Sequence, residues 1–228
     1  MKIKAIVFLV SGNGGTLKFI NEYIKLNKVT GFFISHVIGD RECGAIKYAR
    51  RSGISFSLIR YSKEDRTSLY EILEILNPDF IITNIFKILD QNIVKQFNKR
   101  LINFHYSLLP AFKGFIGLNA IDEAIKLNCH FVGCTCHYVD ELVDNGEIIS
   151  QCITMVPQNL QTSIFYNVIF RSNCLMALNV LLGLTFENNT KGHNISIKIL
   201  NNIVLFSPEL VMGLKIPDDS FWKMIAEL

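Results

Sequence analysis

The sequence predicts an α/β protein in which a mostly parallel, twisted sheet carries helices on both faces and is followed by a C-terminal β-hairpin. Two observations predict the sheet. Short apolar runs alternate with segments whose apolar residues recur at helical spacing, and glycine or proline stands at most boundaries between these runs and segments. Such alternation is typical of parallel sheets covered by helices. Near the C-terminus two apolar runs flank a pair of asparagines, which predicts the hairpin.

The first half of the chain repeats a strand, a loop and a helix. Its first apolar run meets a glycine-rich turn, after which apolar residues recur at helical spacing. Ligands bind beyond the carboxyl ends of strands in such sheets, so the residues after each strand are candidates for chemistry. The predicted strands cover residues 5–10, 31–38, 56–60, 80–85 and 100–106, and the predicted helices cover residues 16–24, 45–51, 68–76 and 88–98.

The second half continues this pattern and then departs from it. Further helices are predicted over residues 120–127 and 163–184, and further strands over residues 131–139 and 148–155. The tail is predicted to form a hairpin with strands over 194–200 and 203–206. Its turn is placed at Asn201 and Asn202, because asparagine tolerates the left-handed conformation that a two-residue turn demands.

The domain organisation follows from the polar segment over residues 187–192, which is the predicted linker. Too few residues follow it to build an independent core. We therefore expect one domain over residues 1–187, with residues 188–228 forming a hairpin and a short helix docked on it.

Composition limits the classes of function. Half of the 228 residues are hydrophobic and 19% are charged, which excludes a disordered chain. The net charge of +3 comes from 23 basic and 20 acidic residues with no basic run longer than a pair, so no nucleic acid partner is expected. No uninterrupted apolar stretch reaches the roughly 18 residues that span a bilayer, so no membrane is expected. Six cysteines without a secretory signal favour reduced thiols and a cytoplasmic protein.

Asn103 and His105 form a polar pair on the predicted strand over residues 100–106. Two positions apart on a strand, they project from the same face, at the end where ligands bind. An amide donor beside an imidazole suits a reaction through a tetrahedral oxyanion, because each group can bind charge that develops in the transition state. The alternative is a structural pair that caps the following loop.

Cys134, Cys136 and His137 invite a metal hypothesis, which their positions disfavour. Alternation on a strand places the two thiols on one face and the imidazole on the other, so the three converge on one ion only if a bulge intervenes. No fourth ligand at zinc spacing is evident. We expect no metal.

Asp144 begins a turn with Asn145 and Gly146, directly before a predicted strand. A carboxylate in this place can orient a histidine or relay a proton. The alternative is a carboxylate that hydrogen-bonds only the backbone of its own turn, and spacing alone favours that alternative.

A glycine-rich loop lies between the first predicted strand and helix. Glycines there let backbone N–H groups approach an anion, and the following helix N-terminus favours phosphate. The loop matches neither the dinucleotide fingerprint nor the P-loop. The alternative is a tight turn with Thr16 as the helix cap. The loop residues are Ser11, Gly12, Asn13 and Gly14.

Three motifs, taken together and in this order, resemble the folate-dependent formyltransferases, most closely those that act on glycinamide ribonucleotide. The motifs are the glycine loop, the strand with Asn103 and His105 followed by Ser107-Leu108-Leu109-Pro110, and the segment from His137 to Gly146. The resemblance implies a Rossmann-like formyltransferase fold. It also implies transfer of a formyl group from the co-substrate 10-formyltetrahydrofolate to a primary amine, without a metal.

The resemblance assigns roles residue by residue. It implies that Asn103, His105 and Asp144 are catalytic residues and that the glycine loop binds the acceptor phosphate. Two further segments would enclose the pterin of the folate. These segments are Phe86, Lys87, Ile88 and Leu89, and Asp140, Glu141, Leu142 and Val143.

Departures from the purine-pathway enzyme concern the acceptor. That enzyme usually has proline where this chain has Tyr106, and its late helix carries a Glu-His pair where this chain has residues 171–174 without an acid. We therefore expect the acceptor to be a nucleotide-linked 4-amino-4,6-dideoxy sugar, for example dTDP-linked, of surface polysaccharide synthesis. The alternatives are glycinamide ribonucleotide and, in other classes, a formyltetrahydrofolate hydrolase or a non-catalytic folate-binding protein.

The expected partners are the small-molecule amine acceptor and the folate. The apolar hairpin over residues 195–206 is expected either to make a homodimer contact or to pack on its own sheet.

Overall fold

The computed structural model describes residues 2–62, 67–186, 192–211 and 213–228 of the chain. It divides into two compact units, Met1–Asn103 with Lys215–Leu228, and Phe104–Leu214, which we call the first and the second unit. The strands are β1 (Lys4–Val10), β2 (Phe32–Gly39), β3 (Phe56–Leu58), β4 (Phe80–Asn84), β5 (Leu101–His105), β6 (Phe131–Tyr138), β7 (Ile148–Met155), β8 (Gly192–Ile199) and β9 (Asn202–Val211). The helices are α1 (Gly15–Asn27), α2 (Gly44–Arg51), α3 (Thr67–Leu76), α4 (Gln91–Gln96), α5 (Asn119–Lys126), α6 (Thr162–Thr185) and α7 (Asp219–Glu227).

The first unit is built on parallel strands in the order β3, β2, β1, β4, β5. Residues 6–10 of β1 are buried almost completely, which explains why its sequence is continuously apolar. The carboxyl ends of β1, β2 and β4 lead into loops that lie along one edge of this sheet. The predicted fold class, a mostly parallel α/β sheet with helices and a C-terminal hairpin, is confirmed.

Helix α7 docks on α1 through aromatic side chains. The rings of Phe19 and Trp222 stack with centroids 4.9 Å apart, and Phe221 meets Phe19 edge-on at 5.8 Å. The Tyr23 hydroxyl accepts a hydrogen bond from the Lys215 backbone N–H and donates one to its carbonyl oxygen. Such aromatic pairs add about 0.5–1.5 kcal/mol each beyond the area they bury. The short C-terminal helix therefore belongs to the first unit.

Helix α4 is shorter than the predicted helix over residues 88–98, since it spans only Gln91–Gln96. Asp90 is extended, and its carboxylate accepts a hydrogen bond of 2.9 Å from the backbone N–H of Asn92, which caps the helix. Ile88 and Leu89 consequently belong to the loop that follows β4.

The second unit contains antiparallel strands in the order β6, β7, β9, β8. Helix α6 packs against these strands. It is long and apolar enough to span a membrane by length and composition, but most of it is buried inside the structure, as in the core helix of an α/β protein. All six cysteines are free thiols, and Cys134 and Cys152 face each other across β6 and β7.

The hairpin turn lies one residue earlier than predicted. Ile199 pairs with Asn202, so the two-residue loop consists of Leu200 and Asn201, and the prediction of Asn201 and Asn202 was wrong. The two loop residues have φ of 44° and 67°. Positive φ at both positions is what the mirror-image turns of two-residue hairpins require. The register of the strands outweighs the preference of Asn202 for the turn.

That register follows the apolar alternation of β9. Val204 and Phe206 are buried, while Ile203 and Leu205 face solvent. A shift by one residue would exchange the two sets. One face of the hairpin thus packs within its own unit, and the homodimer contact stays a prediction.

The predicted linker falls mostly on residues 187–191, which lie outside the described residues, and Gly192 begins β8. The division at residue 187 therefore stays a prediction. The hairpin itself belongs to the second unit and α7 to the first.

Candidate active site

His105 and Asp144 are brought together in the second unit. His105 ends β5 and is buried, and its Nδ1 lies 3.4 Å from Oδ2 of Asp144. On the other side of the ring, Nε2 lies 3.0 Å from the carbonyl oxygen of Phe112 and donates to it. Both ring nitrogens thus face acceptor oxygens.

Asp144 is the centre of this cluster. Its Oδ2 accepts a hydrogen bond of 2.8 Å from the backbone N–H of Gly114, and its Oδ1 lies 3.6 Å from Nε2 of His137. Its backbone has φ of 51°, in the left-handed region that aspartate tolerates better than most residues. Its Oδ2 thus binds a backbone group thirty positions earlier in the chain, outside its own turn.

The surroundings of Asp144 favour its charged form. Burial raises the pKa of the carboxyl, but hydrogen bonds from His137 and from the Gly114 N–H, together with the nearby charges of His105 and His137, lower it more. The net result is a pKa below the usual value of 3.8. The group is therefore an anion throughout the neutral range.

This depressed pKa predicts a pH-dependent contribution to stability. A carboxyl whose pKa is lower in the folded than in the unfolded state stabilises the fold above the unfolded pKa, and that contribution disappears as the pH falls through the folded pKa. The stability difference between the wild type and Asp144→Asn should therefore shrink when the pH is taken from about 5 to about 3. Urea unfolding at both pH values measures it, and a difference that grows in acid would contradict the assignment.

His137 is a neighbour of Asp144 that the sequence does not reveal. By sequence it is only a candidate metal ligand, and alternation places it away from the thiols. The pairing of β6 with β7 shifts register between Cys136 and His137. His137 is buried, its Nδ1 lies 2.8 Å from the Tyr138 carbonyl oxygen, and its Nε2 faces Asp144. The sequence signal for this contact is the turn at residues 144–146, which folds back beside the end of β6.

Among the residues that the structure describes, no group of three or more histidine, cysteine, aspartate or glutamate side chains could hold a metal ion. The two histidines and Asp144 instead form a hydrogen-bonding and charge cluster.

Two loops around Asp144 are held together by polar side chains. Lys113 Nζ donates to Asn145 Oδ1 at 2.7 Å, and Asn145 Nδ2 donates to Asp140 Oδ2 at 3.1 Å. The other oxygen of Asp140 accepts from the backbone N–H of Leu142 at 3.0 Å. Asp140 therefore makes the local turn contact that the sequence suggested for Asp144. The chain of contacts fixes the backbone on either side of the Asp144 carboxylate.

Gly146 allows this loop to close, and replacing it is expected to damage the fold. An added Cβ would lie 1.8 Å from the Tyr138 carbonyl oxygen, so the backbone would have to move. We expect Gly146→Ala to lower the free energy of unfolding by about 1–3 kcal/mol. Gly183→Ala is the control, because its new Cβ meets nothing within 4 Å and it lies in α6. That variant is expected to raise stability by about 0.5–1 kcal/mol. Urea unfolding compares the two, and equal effects would contradict the close approach.

In the first unit, Asn103 lies on β5 next to Thr83 of β4. The Thr83 hydroxyl is 3.3 Å from Oδ1 of Asn103 and 3.2 Å from the Ile102 carbonyl oxygen. Contact with this hydroxyl turns the amide so that its oxygen faces β4. The other end of the amide carries its N–H donors.

The glycine loop over residues 11–14 connects β1 to α1. Gly14 has φ of 70° and caps α1 without a side-chain hydrogen bond, so the alternative with Thr16 as the cap is wrong. A Cβ on Gly14 would lie 2.6 Å from that of Ala45. The Ala45 backbone N–H donates to the Gly12 carbonyl oxygen at 3.0 Å. The loop is thus packed against the start of α2.

The two candidate folate segments expose apolar side chains to solvent, each within its own unit. Phe86 and Ile88 are exposed in the first unit, and Leu142 and Val143 are exposed in the second. Their role in enclosing the pterin stays a prediction. Lys87 and Glu141 are exposed polar members of these segments, and Leu89 and Asp140 are half-buried.

A family model described as formyl transferase matches residues 4–172. The chain belongs to the formyl transferase family. The resemblance to the folate-dependent formyltransferases is confirmed by this match and by the relatives. The chain is 31% identical over 164 residues to a chloroplastic phosphoribosylglycinamide formyltransferase of Vigna unguiculata, covering 68% of this chain and 53% of the relative. It is 30% identical over 135 residues to the mitochondrial formyltetrahydrofolate deformylase 2 of Arabidopsis thaliana. That match covers 58% of this chain and 40% of the relative.

Solved structures of this family share the fold. The phosphoribosylglycinamide formyltransferase of Anaplasma phagocytophilum superposes with a TM-score of 0.73 at 24% identity, covering 87% of this chain and 91% of its own. The phosphoribosylglycinamide formyltransferase of Coxiella burnetii, in complex with CHES, superposes with a TM-score of 0.74 at 23% identity. It covers 91% of this chain and 95% of its own. This formyl transferase chain spans about half the length of the curated relatives it matches. Its cytoplasmic location stays a prediction.

Proposed function

We propose that this formyl transferase moves a formyl group from 10-formyltetrahydrofolate to the primary amine of a phosphate-bearing acceptor, and that glycinamide ribonucleotide is the acceptor. The observation that carries the proposal is the half-buried Asp144 carboxylate between the rings of His105 and His137. Phosphoribosylglycinamide formyltransferases among the relatives and the structures support the acceptor. This acceptor replaces the amino sugar expected from the sequence, because the relatives fit it better.

The residues act on a carbonyl that gains negative charge. When an amine attacks the formyl carbon, charge develops on the formyl oxygen, and the Asn103 amide and the His105 imidazolium are the donors that stabilise it. Asp144 contacts Nδ1 of His105 and fixes the orientation of the ring. It is also the base that helps to move the proton lost by the amine towards the departing nitrogen.

The residues present fit a folate. Its pterin is a heterocycle with apolar faces and polar edges, and the candidate segments supply exposed apolar side chains, namely Phe86, Ile88, Leu142 and Val143. Backbone groups of the same loops are polar partners for the ring edges. When bound, the folate supplies the formyl group.

A nucleotide-linked amino sugar is the second candidate acceptor. It is favoured by helix α6, where residues 171–174 carry no carboxylate to hold a glycinamide amine. Ser172 and Asn173 are buried there, and the Ser172 hydroxyl donates to the Val168 carbonyl oxygen at 2.7 Å. A short polar segment of this kind leaves the acceptor amine without an anionic partner on α6.

A folate-release assay tests the proposal. The enzyme is incubated with 10-formyltetrahydrofolate and either glycinamide ribonucleotide, a dTDP-linked 4-amino sugar or no acceptor, and release of tetrahydrofolate and formylation of the amine are measured. We expect turnover that depends on glycinamide ribonucleotide. Turnover with only the sugar would favour the second candidate. Release without an acceptor would favour hydrolysis, as in the deformylases that the chain resembles. No release in any arm would overturn the transferase proposal.

A further inference from the structure

Asp40 and Arg41, at the end of β2 in the first unit, form a tightly paired ion pair. The guanidinium Nε is 3.1 Å from Oδ1, and Nη2 is 2.9 Å from Oδ2, so two parallel hydrogen bonds join the side chains. Such a bidentate arrangement fixes the plane of the guanidinium as well as its position. The pair was not singled out by the sequence, because its geometry depends on the loop after β2.

The same carboxylate touches the glycine loop. Ser11 hydrogen-bonds the Asp40 carboxylate, and its hydroxyl oxygen accepts a hydrogen bond of 2.9 Å from the backbone N–H of Phe86. Lys87, the next residue, is near enough to interact electrostatically with Asp40. One carboxylate therefore contacts both the Arg41 guanidinium and the loop that is proposed to bind phosphate.

The two partners differ sharply in exposure. The Asp40 side chain is 1% exposed, whereas the Arg41 side chain is 52% exposed. The surface that this pair presents to solvent is therefore cationic, although the pair as a whole is neutral. Burial raises the pKa of the Asp40 carboxyl, but the hydrogen bonds from Arg41 and Ser11 and the charges of Arg41 and Lys87 lower it more, so the carboxylate remains ionised.

A second ion pair in the same unit differs from this one, because both of its partners are exposed. Arg50 and Glu42 are also joined by two hydrogen bonds, of 3.0 and 3.2 Å, but their side chains are 51% and 43% exposed. Both charges of this pair face solvent, so the pair presents no net charge at the surface, and Arg50 provides a matched control.

We propose that Arg41 binds the phosphate of the acceptor, with Asp40 as the positioning residue that orients it beside the glycine loop. This assignment rests on the proposed function for the identity of the acceptor. Two of the five guanidinium N–H groups bind Asp40, and the others are donors for a phosphate oxygen pair. Arg41 then adds a charged, directional contact to the backbone N–H groups of residues 11–14. Its ligand is a phosphate ester dianion.

The kinetic test compares Arg41→Gln, Arg41→Lys and Arg50→Gln with the wild type. For a phosphate-bearing acceptor, Arg41→Gln should raise the acceptor KM about tenfold to a hundredfold, since a charge-assisted hydrogen bond is worth about 1.5–3 kcal/mol. Its kcat and folate KM should stay near wild type. Arg41→Lys should recover part of the loss, and Arg50→Gln should leave the acceptor KM unchanged. Equal effects of Arg41→Gln and Arg50→Gln, or none from either, would overturn the role of Arg41.

A binding test separates this inference from the proposed function. Inorganic phosphate and pyrophosphate are titrated calorimetrically into wild type and variants at constant ionic strength. Wild type and Arg50→Gln should bind alike, and Arg41→Gln should bind about tenfold more weakly or worse. Loss of binding in Arg41→Gln would support the phosphate site even if no amine is formylated. Unchanged binding, or none by the wild type at tens of millimolar phosphate, would overturn it even if formyl transfer is established.

Discussion

Asp144→Asn is expected to lower kcat by a factor of about a hundred to a thousand or more. The change keeps the shape of the side chain but removes the charge that lies 3.4 Å from His105 and 3.6 Å from His137. Without it, the His105 ring loses its anionic partner at Nδ1, and one positioned charge at a reacting carbonyl is worth about that factor. Steady-state rates at saturating substrates measure the effect.

The control for this variant is Asp122→Asn, which removes a carboxylate from α5 in the same unit. Asp122 accepts a hydrogen bond from Tyr166 and has no part in the site. It should keep the wild-type rate. Circular dichroism should show that both variants are folded. A near wild-type rate for folded Asp144→Asn would remove the carboxylate from the mechanism.

Asn103→Ala is expected to have the second large effect, a loss of about a hundredfold to a thousandfold in kcat. Its amide oxygen faces the Thr83 hydroxyl, so the side chain is positioned for donation through nitrogen. Alanine removes that donor without adding bulk. The measurement is kcat with saturating folate and acceptor, because a transition-state contact lowers kcat rather than raising KM alone.

Asn167→Ala serves as the comparison for Asn103→Ala. Asn167 lies exposed on α6, where its amide donates to the Ser163 carbonyl oxygen. Alanine is a better helix former than asparagine, so this variant should be at least as stable as the wild type and equally active. If Asn103→Ala also retained full kcat, the oxyanion role of the amide would be refuted.

The sequence allowed the fold to be predicted well where strands are fully buried. The apolar run of β1 is continuous because it lies at the centre of parallel strands, and such runs are easily recognised. The limits of helices and the positions of turns are harder to predict from the sequence. Helix α4 begins later than its apolar spacing suggests because Asp90 caps it. The hairpin turn was displaced by one residue because strand pairing decides which residues take positive φ.

The site could be predicted only in part, and through resemblance more than through spacing. The roles of Asn103, His105 and Asp144 were proposed from motifs, and they remain proposals. His137 was missed because the register shift in the pairing of β6 with β7 is invisible to simple alternation. The same limit applies to the Gly114 contact with Asp144 and to the Ser11 contact with Asp40, since both join segments that are distant in sequence.

The Phe112 carbonyl has a consequence for turnover. It occupies Nε2 of His105, the one ring nitrogen that is turned away from Asp144. In the proposed reaction the formyl oxygen and the Phe112 carbonyl oxygen compete for this N–H, so the formyl oxygen accepts the hydrogen bond only after the carbonyl has withdrawn. The apparent affinity for a substrate that needs this N–H is then the intrinsic affinity multiplied by the fraction of molecules in which the bond to Phe112 is open.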